Sequence, residues 1–587
     1  MIIEALCNCY DRFEKNPAFN ISRYGYSNEQ IYASITLTEN GEIIHPIVKF
    51  DKGTKLVVPS IPIRSSGIKP AFVFDNSQYF FGHSIQKDNK NKKMKGKDGK
   101  YLVKDNKEHF KQCKELHEKI FSSVENSEEV RALLSFFENA QEKYFDLTDD
   151  EKNLISNKFV FRLKGKEEYF HDNIVIKKAW EEYFNGLNEK NDEEMECLDS
   201  GNKQYFELLH QDVKGLAASG IKVVSFNEKA FESFYKKNGE ISPISKLSAF
   251  KYVVALNFLV QDKKHILRIG NDKILFWAEK EAKNEENLLN FLFGNKDESE
   301  EKKSDELTSQ MIKSFFSQVY SGKEFSSTFE IDESITFYIL GITNNSSRAV
   351  IRYYYQNSLG QILDHISEHY RDIDIIKKDD DTKIVSPWRI LINTAVGGET
   401  SNIPPLLESS LIRSILEGIP YSYNLYTAIL NRIRSEQKID FVRVGILKSY
   451  LNRISRQNNK SQKEMITMTL NKEETNQGYL LGRLLAVLEK GQRDALGDVN
   501  ASILDKYLNS CITTPQTVFP TLLMLFQKHL SKSGKYYTNQ IASEIIAHFD
   551  STGFPQILDV EDQGRFLIGY YHQNMDLWTK NKNSEEK

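Results

Sequence analysis

The hydrophobic residues of this chain follow two different periods, and this contrast limits the folds that it can adopt. In the first hundred residues apolar and polar side chains alternate, as in residues 30–38, and a period of two is typical of half-buried strands. Beyond about residue 385 the pattern is helical, and Leu480, Leu484, Val487 and Leu488 share one helical face. The sequence therefore predicts an α+β protein, with a strand-rich mixed amino-terminal region that carries helical insertions and an all-α carboxy-terminal helical bundle.

Local signals refine this division. Helices are expected between about residues 105 and 160. Runs of β-branched and aromatic residues predict further strands at residues 158–163, 221–226, 265–277 (with a turn at 270–272), 334–340 and 348–354. Pro404 and Pro405 are predicted to open a helix that Gly418 ends, and Asp440 is predicted to cap the next one.

The 587 residues exceed what one hydrophobic core can hold. We expect a strand-rich region with a hairpin at 1–105, a mixed α/β body at 106–385, a basic helical region at 386–464 and a helical bundle at 465–587. A charged segment at 294–306 is predicted to be a linker, since it has nothing to bury.

Composition narrows the class of protein. A formal net charge of −4 argues against a uniformly basic nucleic-acid coat, so any contact with nucleic acid must come from local patches. The five cysteines form no C-x-x-C pair, which favours a reducing compartment. No cationic leader and no run of apolar residues long enough to cross a bilayer occurs, so we expect a soluble, cytoplasmic protein without a membrane partner.

The segment between Arg64 and Lys107 carries the first candidate site. Two aromatic and β-branched runs flank residues 75–78 (Asp-Asn-Ser-Gln), which predicts a hairpin with amides at its tip. Nine lysines follow between residues 87 and 107, and we expect them to form a flexible arm. Amides that read base edges beside lysines that neutralise phosphates suit a DNA duplex. The alternative is a solvated loop in which Asn76 is present because it tolerates positive φ.

A second basic patch lies at residues 413–463. This segment contains ten basic residues and only three acidic ones. The aliphatic residues between them predict helices with one buried and one cationic face. Such a surplus favours an anionic partner, although an ordinary solvated face is the alternative.

Enzymatic signals are weak. His365, Glu368 and His369 match H-x-x-E-H, in which two histidines bind zinc and the glutamate activates water, so a zinc hydrolase is one alternative. A third ligand has no obvious place. His109, Cys113 and His117 share a helical face at i+4 steps, for which a half-exposed helix is the favoured interpretation. Without a Walker loop or a G-x-S-x-G elbow, we expect no catalytic residues, no metal and no cofactor.

Several strings, in order over nearly the whole length, resemble the large subunit of the type I-C CRISPR Cascade complex. They are Ser66-Gly-Ile-Lys-Pro70, Asp75-Asn-x-x-Tyr79-x-x-Gly82, Ala255-Leu-Asn257, Ile269-Gly-Asn271, Phe276-Trp-Ala278, Leu340-Gly-Ile-Thr-Asn344, Ile415-Leu-Glu-Gly-Ile-Pro420, Tyr479-Leu-Leu-Gly-Arg483, Asn500-Ala-Ser-Ile503 and Gln563-Gly-x-Phe-x-x-Gly-Tyr-Tyr-His-Gln573.

The resemblance implies a non-enzymatic protein that recognises the protospacer-adjacent motif in double-stranded DNA. It would promote R-loop formation and hold the displaced strand, while guide pairing supplies sequence specificity. The implied partners are target duplex DNA, the crRNA, the Cascade backbone and crRNA-processing subunits, a small subunit from the same gene, and the CRISPR helicase-nuclease. A purely structural scaffold subunit is the remaining alternative.

Under this resemblance Asn76 becomes the expected base contact, because an amide can pair with a base edge. Tyr79 is expected either to pack the hairpin or to wedge against a base step. The other expected DNA-binding residues are Arg64, Lys69, Gln78, Lys92, Lys93, Lys95, Arg432, Arg434 and Arg443. The carboxy-terminal bundle would resemble a Cascade small subunit, and internal translation is predicted to start it at Met465 or Met468.

Overall fold

A computed structural model describes residues 2–585, apart from residues 17–18, 20, 62–66, 89–91, 123, 125–126, 190–193, 218–219, 227, 270–271, 294–330, 346–347, 379–384, 459–464, 498 and 550–552. Arg64, most of the turn at 270–272 and the linker at 294–306 lie outside the described residues. The chain divides into two compact units, residues 1–213 with 222–258 and residues 214–221 with 259–587. The four predicted segments remain a prediction.

The first unit mixes short strands with helices. Its helices are α1 (Ile2–Lys15), α2 (Ser77–Phe80), α3 (Lys107–Phe121), α4 (Glu128–Asp146), α5 (Asp149–Ile155), α6 (Ile174–Glu189) and α7 (Lys246–Gln261), whose last three residues belong to the second unit. Its strands are β1 (Tyr26–Leu37), β2 (Ile43–Pro59), β3 (Phe74–Asp75), β4 (His83–Ile85), β5 (Val103–Asp105), β6 (Phe159–Leu163), β7 (Glu194–Glu196) and β8 (Lys203–Tyr205).

A four-stranded sheet in the order β2-β1-β6-β3 organises this unit. β1 runs antiparallel to β2 and parallel to β6, and β3 pairs antiparallel with β6. The alternation in β1 places Ala33, Ile35 and Leu37 in one buried cluster with Phe161 of β6 and Phe136 of α4. The helices α3, α4 and α6 contribute to this cluster, so the sheet is covered on the face that the pattern predicted to be buried.

The second unit begins with an antiparallel sheet and continues as helices. The sheet has the order β12-β11-β10-β9, formed by β9 (Ile266–Ile269), β10 (Asp272–Ala278), β11 (Thr336–Asn345) and β12 (Arg348–Ser358). The helices are α8 (Lys283–Phe293), α9 (Leu359–Ile373), α10 (Pro387–Ile392), α11 (Leu407–Glu417), α12 (Tyr423–Glu436), α13 (Phe441–Gln457), α14 (Gln477–Leu496), α15 (Ile503–Thr513), α16 (Pro515–Ser533), α17 (Tyr537–Ile546) and α18 (Val560–Glu585).

The helix α14 is the centre of the carboxy-terminal bundle. Nearly every residue from Gly478 to Glu489 is buried, so the helix is covered on all sides rather than on the one predicted face. Glycines let its backbone meet that of α18: a Cβ placed on Gly482 would lie 1.8 Å from the carbonyl oxygen of Phe566, and one on Gly569 would lie 2.2 Å from that of Tyr479. Close backbone contact of this kind requires residues without a side chain.

The structure confirms the α+β class, the strands predicted at 30–38, 158–163, 265–277 and 334–354, and the Asp440 cap, whose side chain accepts the Arg443 N–H. Two predictions are wrong. Residues 221–226 form no strand, because only Ile221 and Lys222 make β-bridges and no ladder continues beyond them. Pro404 and Pro405 precede α11, whose amino-terminal cap is Leu406, although Gly418 ends this helix in the left-handed conformation as expected. Among the described residues, no helix is both long and apolar enough to span a bilayer.

Candidate nucleic-acid interface

Asn76 caps a helix and does not lie in a hairpin turn. Its backbone is extended (φ −101°, ψ 175°), and its Oδ1 accepts the backbone N–H of Gln78 at 3.1 Å at the start of α2. The predicted hairpin is therefore wrong, as is the positive φ of the alternative: β3 before Asn76 pairs with β6, and helix follows it. Asn and Ser favour helix amino termini as well as turns, and here the buried rings of Tyr79 and Phe80 favour the helix.

The loop before Asn76 is held by two buried side chains. Asp75 accepts the backbone N–H groups of Ala71 at 3.1 Å and of Asn76 at 3.0 Å. Val73 has φ +54°, an unfavourable conformation for a β-branched residue, and its N–H donates to Nε2 of His117 at 2.9 Å. Asp75 and His117 thus fix the backbone that precedes the cap, a positioning role that the sequence patterns containing them did not indicate.

His117 has both ring nitrogens occupied. Its Nδ1 donates to the Cys113 carbonyl at 2.7 Å while Nε2 accepts from Val73, and burial lowers its pKa to about 4. The ring is therefore neutral at physiological pH and has no nitrogen left for a metal ion. The described residues contain no group of three or more His, Cys, Asp or Glu side chains placed to hold one.

Tyr79 and its neighbours serve packing. Tyr79 is buried, with its ring edge-to-face on His109 at 5.2 Å between centroids. Of the two expected roles of Tyr79 the structure supports packing, because a buried ring cannot reach a base step. Gln78 and Lys69 are half-buried at the edge of this region.

The lysine tract forms an ordered ribbon, so the expectation of a flexible arm is wrong for its described part. β4 pairs with β5, and backbone hydrogen bonds join Gln86, Met94 and Leu102 beyond them. Among the described residues from 87 to 105, six lysines are exposed against three aspartates; they are Lys87, Lys92, Lys95, Lys97, Lys100 and Lys104. A cationic surface of this kind can neutralise phosphates without reading a sequence.

Lys93 is the exception within this ribbon. Its Nζ donates to Asn153 Oδ1 at 2.5 Å and to Ser156 Oγ at 2.7 Å, and burial lowers its pKa. Lys93 thus anchors the ribbon to α5, and its ammonium group is not available to DNA. By contrast Lys92 and Lys95 are exposed, and the Lys95 Nζ lies 4.8 Å from the ring centroid of Tyr101.

In the basic helices of the second unit, much of the positive charge points inward. Arg443 is 5% exposed and pairs with Glu436, so it is absent from the surface where a DNA contact was predicted. Arg453 is also buried and donates to Asp372 and to the carbonyls of Ser414 and Ile419. Lys448 donates to the Asp372 carbonyl at 2.6 Å, and burial lowers its pKa to about 8. The prediction of purely outward-facing cations is wrong for these three residues.

For Arg453 and Lys448 the reason is that Asp372 of another helix supplies a buried carboxylate and a backbone carbonyl that accept their N–H groups. It lies on α9 and accepts from Arg453 and from both terminal nitrogens of Arg456. Of the other predicted contacts, Arg432 pairs with Glu436 at 3.2 Å, and Arg434 is half-buried. These two are what remains of the predicted DNA-binding residues of this patch.

The three residues of the H-x-x-E-H string form hydrogen bonds and an ion pair within the protein. His365 Nδ1 donates to the Leu416 carbonyl at 2.6 Å, and Glu368 pairs with Arg456 at 3.1 Å. His369 is fully buried against the Tyr421 hydroxyl, and burial holds its pKa well below the usual range. Since Glu368 is held by Arg456 and both histidines bond within the protein, this geometry does not favour a zinc hydrolase.

The structure therefore brings together part of the predicted site. Asn76 and Gln78 open α2, which leads through Phe81 and Gly82 directly into β4 of the lysine ribbon. The Ser84 hydroxyl donates to Asn106 Oδ1 at 2.7 Å and joins the two ends of this ribbon. An amide at the start of α2 thus precedes, in the same unit, a paired cationic ribbon. We name this combination, Asn76 and Gln78 with the exposed lysines of residues 87–104, the amide–lysine surface.

Comparison with known proteins identifies the family. A search of curated proteins finds no match. The family model described as CRISPR-associated protein (Cas_Csd1) matches residues 6–578, nearly the entire chain. The chain therefore belongs to the Cas_Csd1 family of CRISPR-associated proteins.

Proposed function

We propose that this protein is the large subunit of a type I-C crRNA-guided surveillance complex and that its amide–lysine surface recognises the protospacer-adjacent motif in duplex DNA. In this role it promotes R-loop formation, holds the displaced strand and recruits the helicase-nuclease, while the guide RNA supplies the long-range specificity. Its partners are then the crRNA and the backbone and crRNA-processing subunits. The protein itself cuts nothing and needs no cofactor, and it acts in the cytoplasm.

The observation that carries this proposal is the position of Asn76. Its Oδ1 is used by the helix cap, its side chain is half-buried, and its Nδ2 is a donor that the cap does not use. A donor held on a rigid element discriminates between base edges better than one on a loose loop, because little conformational freedom is lost on binding. The exposed lysines of the ribbon that follows α2 supply affinity that does not depend on sequence.

Two substitutions at Asn76 separate base reading from helix capping. Asn76→Ser keeps a capping oxygen and removes the amide donor, whereas Asn76→Ala removes both and costs about 1 kcal/mol of stability. We expect both variants to lose discrimination between motif-bearing and motif-free duplexes by about 5- to 100-fold, the usual effect of one base contact. Binding of the assembled complex to the two duplexes measures this. Unchanged discrimination in Asn76→Ser would refute the role of Asn76.

The lysines are tested by salt dependence. Replacing Lys92, Lys95 and Lys97 with Gln should weaken binding to every duplex equally and reduce the slope of log affinity against log salt by about one for each phosphate that is no longer neutralised. Lys93→Gln is the matched control, because Lys93 bonds internally and should leave the slope unchanged. An unaltered slope in the triple variant would instead support a purely structural scaffold.

We also propose that the tail is made separately as a small subunit, beginning at Met465 or Met468. Both residues lie in the connection before α14, and the five helices α14–α18 follow. In the full chain this tail is docked firmly: the Tyr426 hydroxyl of α12 donates to the Val560 carbonyl at 2.9 Å. Mass spectrometry of the purified complex should detect the shorter product, and Met465→Leu with Met468→Leu should abolish it. Its absence from the unaltered complex would contradict this proposal.

A further inference from the structure

A tight turn in the first unit presents two aromatic rings to solvent. Phe234 and Tyr235 occupy the centre of the turn from Ser233 to Lys236 and are 91% and 104% exposed. The Lys236 N–H donates to the Ser233 carbonyl at 2.9 Å and closes the turn. We call residues 233–237 the aromatic turn.

The backbone of the aromatic turn is unfavourable for the residues that it carries. φ is +52° at Phe234 and +61° at Tyr235, the pattern of a type I′ turn, for which Asn-Gly is the favoured pair. Bulky side chains at positive φ are genuine outliers. Here they gain no burial in return, so folding of this unit does not explain why two rings occupy these positions. Strained residues that persist without local benefit point to a role in binding.

The base of the aromatic turn is fixed, so the rings project from a defined point. Short 3₁₀ helices at Lys229–Phe231 and Asn238–Ile241 flank the turn. On the far side Gly239 is buried so closely against the chain that an added Cβ would lie 2.3 Å from the Glu207 carbonyl oxygen. On the near side Phe231 packs edge-to-face on Phe226, with centroids 6.5 Å apart.

The chemistry of the aromatic turn favours nucleobases over a protein groove. Both charged residues within it, Lys236 and Lys237, are positive and exposed, although Glu232 precedes them and the Glu240 carboxylate accepts the Lys237 backbone N–H at 2.9 Å. Aromatic faces with adjacent cations are the means by which proteins hold single-stranded nucleic acid, because every base has a face on which a ring can stack. Paired bases inside a duplex are stacked on one another, so a protruding ring reaches a base face there only by parting a base step, at a cost of a few kcal/mol.

We propose that the aromatic turn binds unpaired nucleobases by stacking on Phe234 and Tyr235, with Lys236 and Lys237 on the adjoining phosphates. This proposal rests on the proposed function. There the protein binds duplex DNA, and the aromatic turn would bind the strand that is released when the duplex opens. It lies outside the amide–lysine surface and uses none of its residues.

The turn itself offers a variant that removes the rings without harming the fold. Phe234→Asn with Tyr235→Gly installs the pair that this backbone prefers, so the double variant should unfold at the same or a higher temperature than the original chain. The probe is a single-stranded oligonucleotide that carries 2-aminopurine, whose fluorescence falls on stacking. We expect the full chain to quench it and the double variant to bind at least tenfold more weakly, given about 1–3 kcal/mol for each stacked base.

Tyr536→Ser is the matched control, because Tyr536 is also an exposed ring, 64% accessible, in the second unit. It should leave quenching and affinity unchanged. Equal binding by the original chain and the Phe234→Asn, Tyr235→Gly variant would overturn the proposal. A double variant that still quenches the probe but no longer assembles with the other subunits would also overturn it, because the turn would then be a contact with protein. The two proposals can fail separately, since Asn76 is tested on intact duplexes and the aromatic turn on single strands.

Discussion

A methyl group added at Gly482 should separate the two central helices of the carboxy-terminal bundle. In α14 the Cβ of Gly482→Ala would lie 1.8 Å from the carbonyl oxygen of Phe566 and 2.7 Å from its carbonyl carbon. Both are backbone atoms of α18, so no side-chain rotation can relieve the overlap. The helices must move apart by more than 1 Å, an estimate that follows from an ordinary contact distance of about 3.5 Å.

The cost can be estimated from opposing terms. Overpacking a core costs about 1–3 kcal/mol and more where the backbone must shift, so a value near 4 kcal/mol is reasonable here. Alanine has the higher helix propensity and returns about 1 kcal/mol. We therefore expect Gly482→Ala to lower the free energy of unfolding of this bundle by about 3 kcal/mol.

Urea unfolding followed by hydrogen-exchange mass spectrometry would report peptides of α14 and α18 separately from those of the first unit. Gly186→Ala in α6 is the matched control: nothing lies within 4 Å of its added Cβ, so it should stabilise by about 0.5–1 kcal/mol. If Gly482→Ala proved neutral or stabilising like the control, the inferred backbone contact between α14 and α18 would be wrong.

Two further predictions concern buried charge. Asp372→Asn removes the carboxylate that pairs with Arg453, whose side chain is 1% exposed, and should lower the free energy of unfolding by about 3–5 kcal/mol in thermal or urea unfolding. Asp51→Asn is the control: it breaks an exposed pair with Lys49 and should cost less than about 1 kcal/mol. Similar losses in the two variants would contradict the burial argument. For His117, the folded pKa of about 4 lies below the unfolded value of about 6.5, so the unfolded chain binds more protons between these values and stability rises with pH across this window. His117 should account for about 2 kcal/mol of the stability lost between pH 7 and pH 5, and His117→Gln should flatten the pH dependence of urea unfolding by that amount; an unchanged slope would show that His117 is not titrating there.

The amino-acid sequence by itself determined the α+β class and most strands of the two large sheets. It also determined local helix ends such as the Asp440 cap and the Gly418 terminus. These features depend on residues within a few positions of one another, through alternation, helical period or a cap. The family was likewise visible in the sequence, since short strings along the whole chain carry the resemblance.

Only the tertiary structure decided which charged residues face solvent. A count of basic residues at 413–463 cannot show that Arg453 is buried, because its partner Asp372 lies 81 positions earlier, on another helix. The same holds for Asn76: a turn and a helix start share their favoured residues, and the helix forms here since Tyr79 and Phe80 can bury their rings in it. Burial depends on contacts between segments that are distant in sequence, and a local sequence pattern contains no information on those contacts.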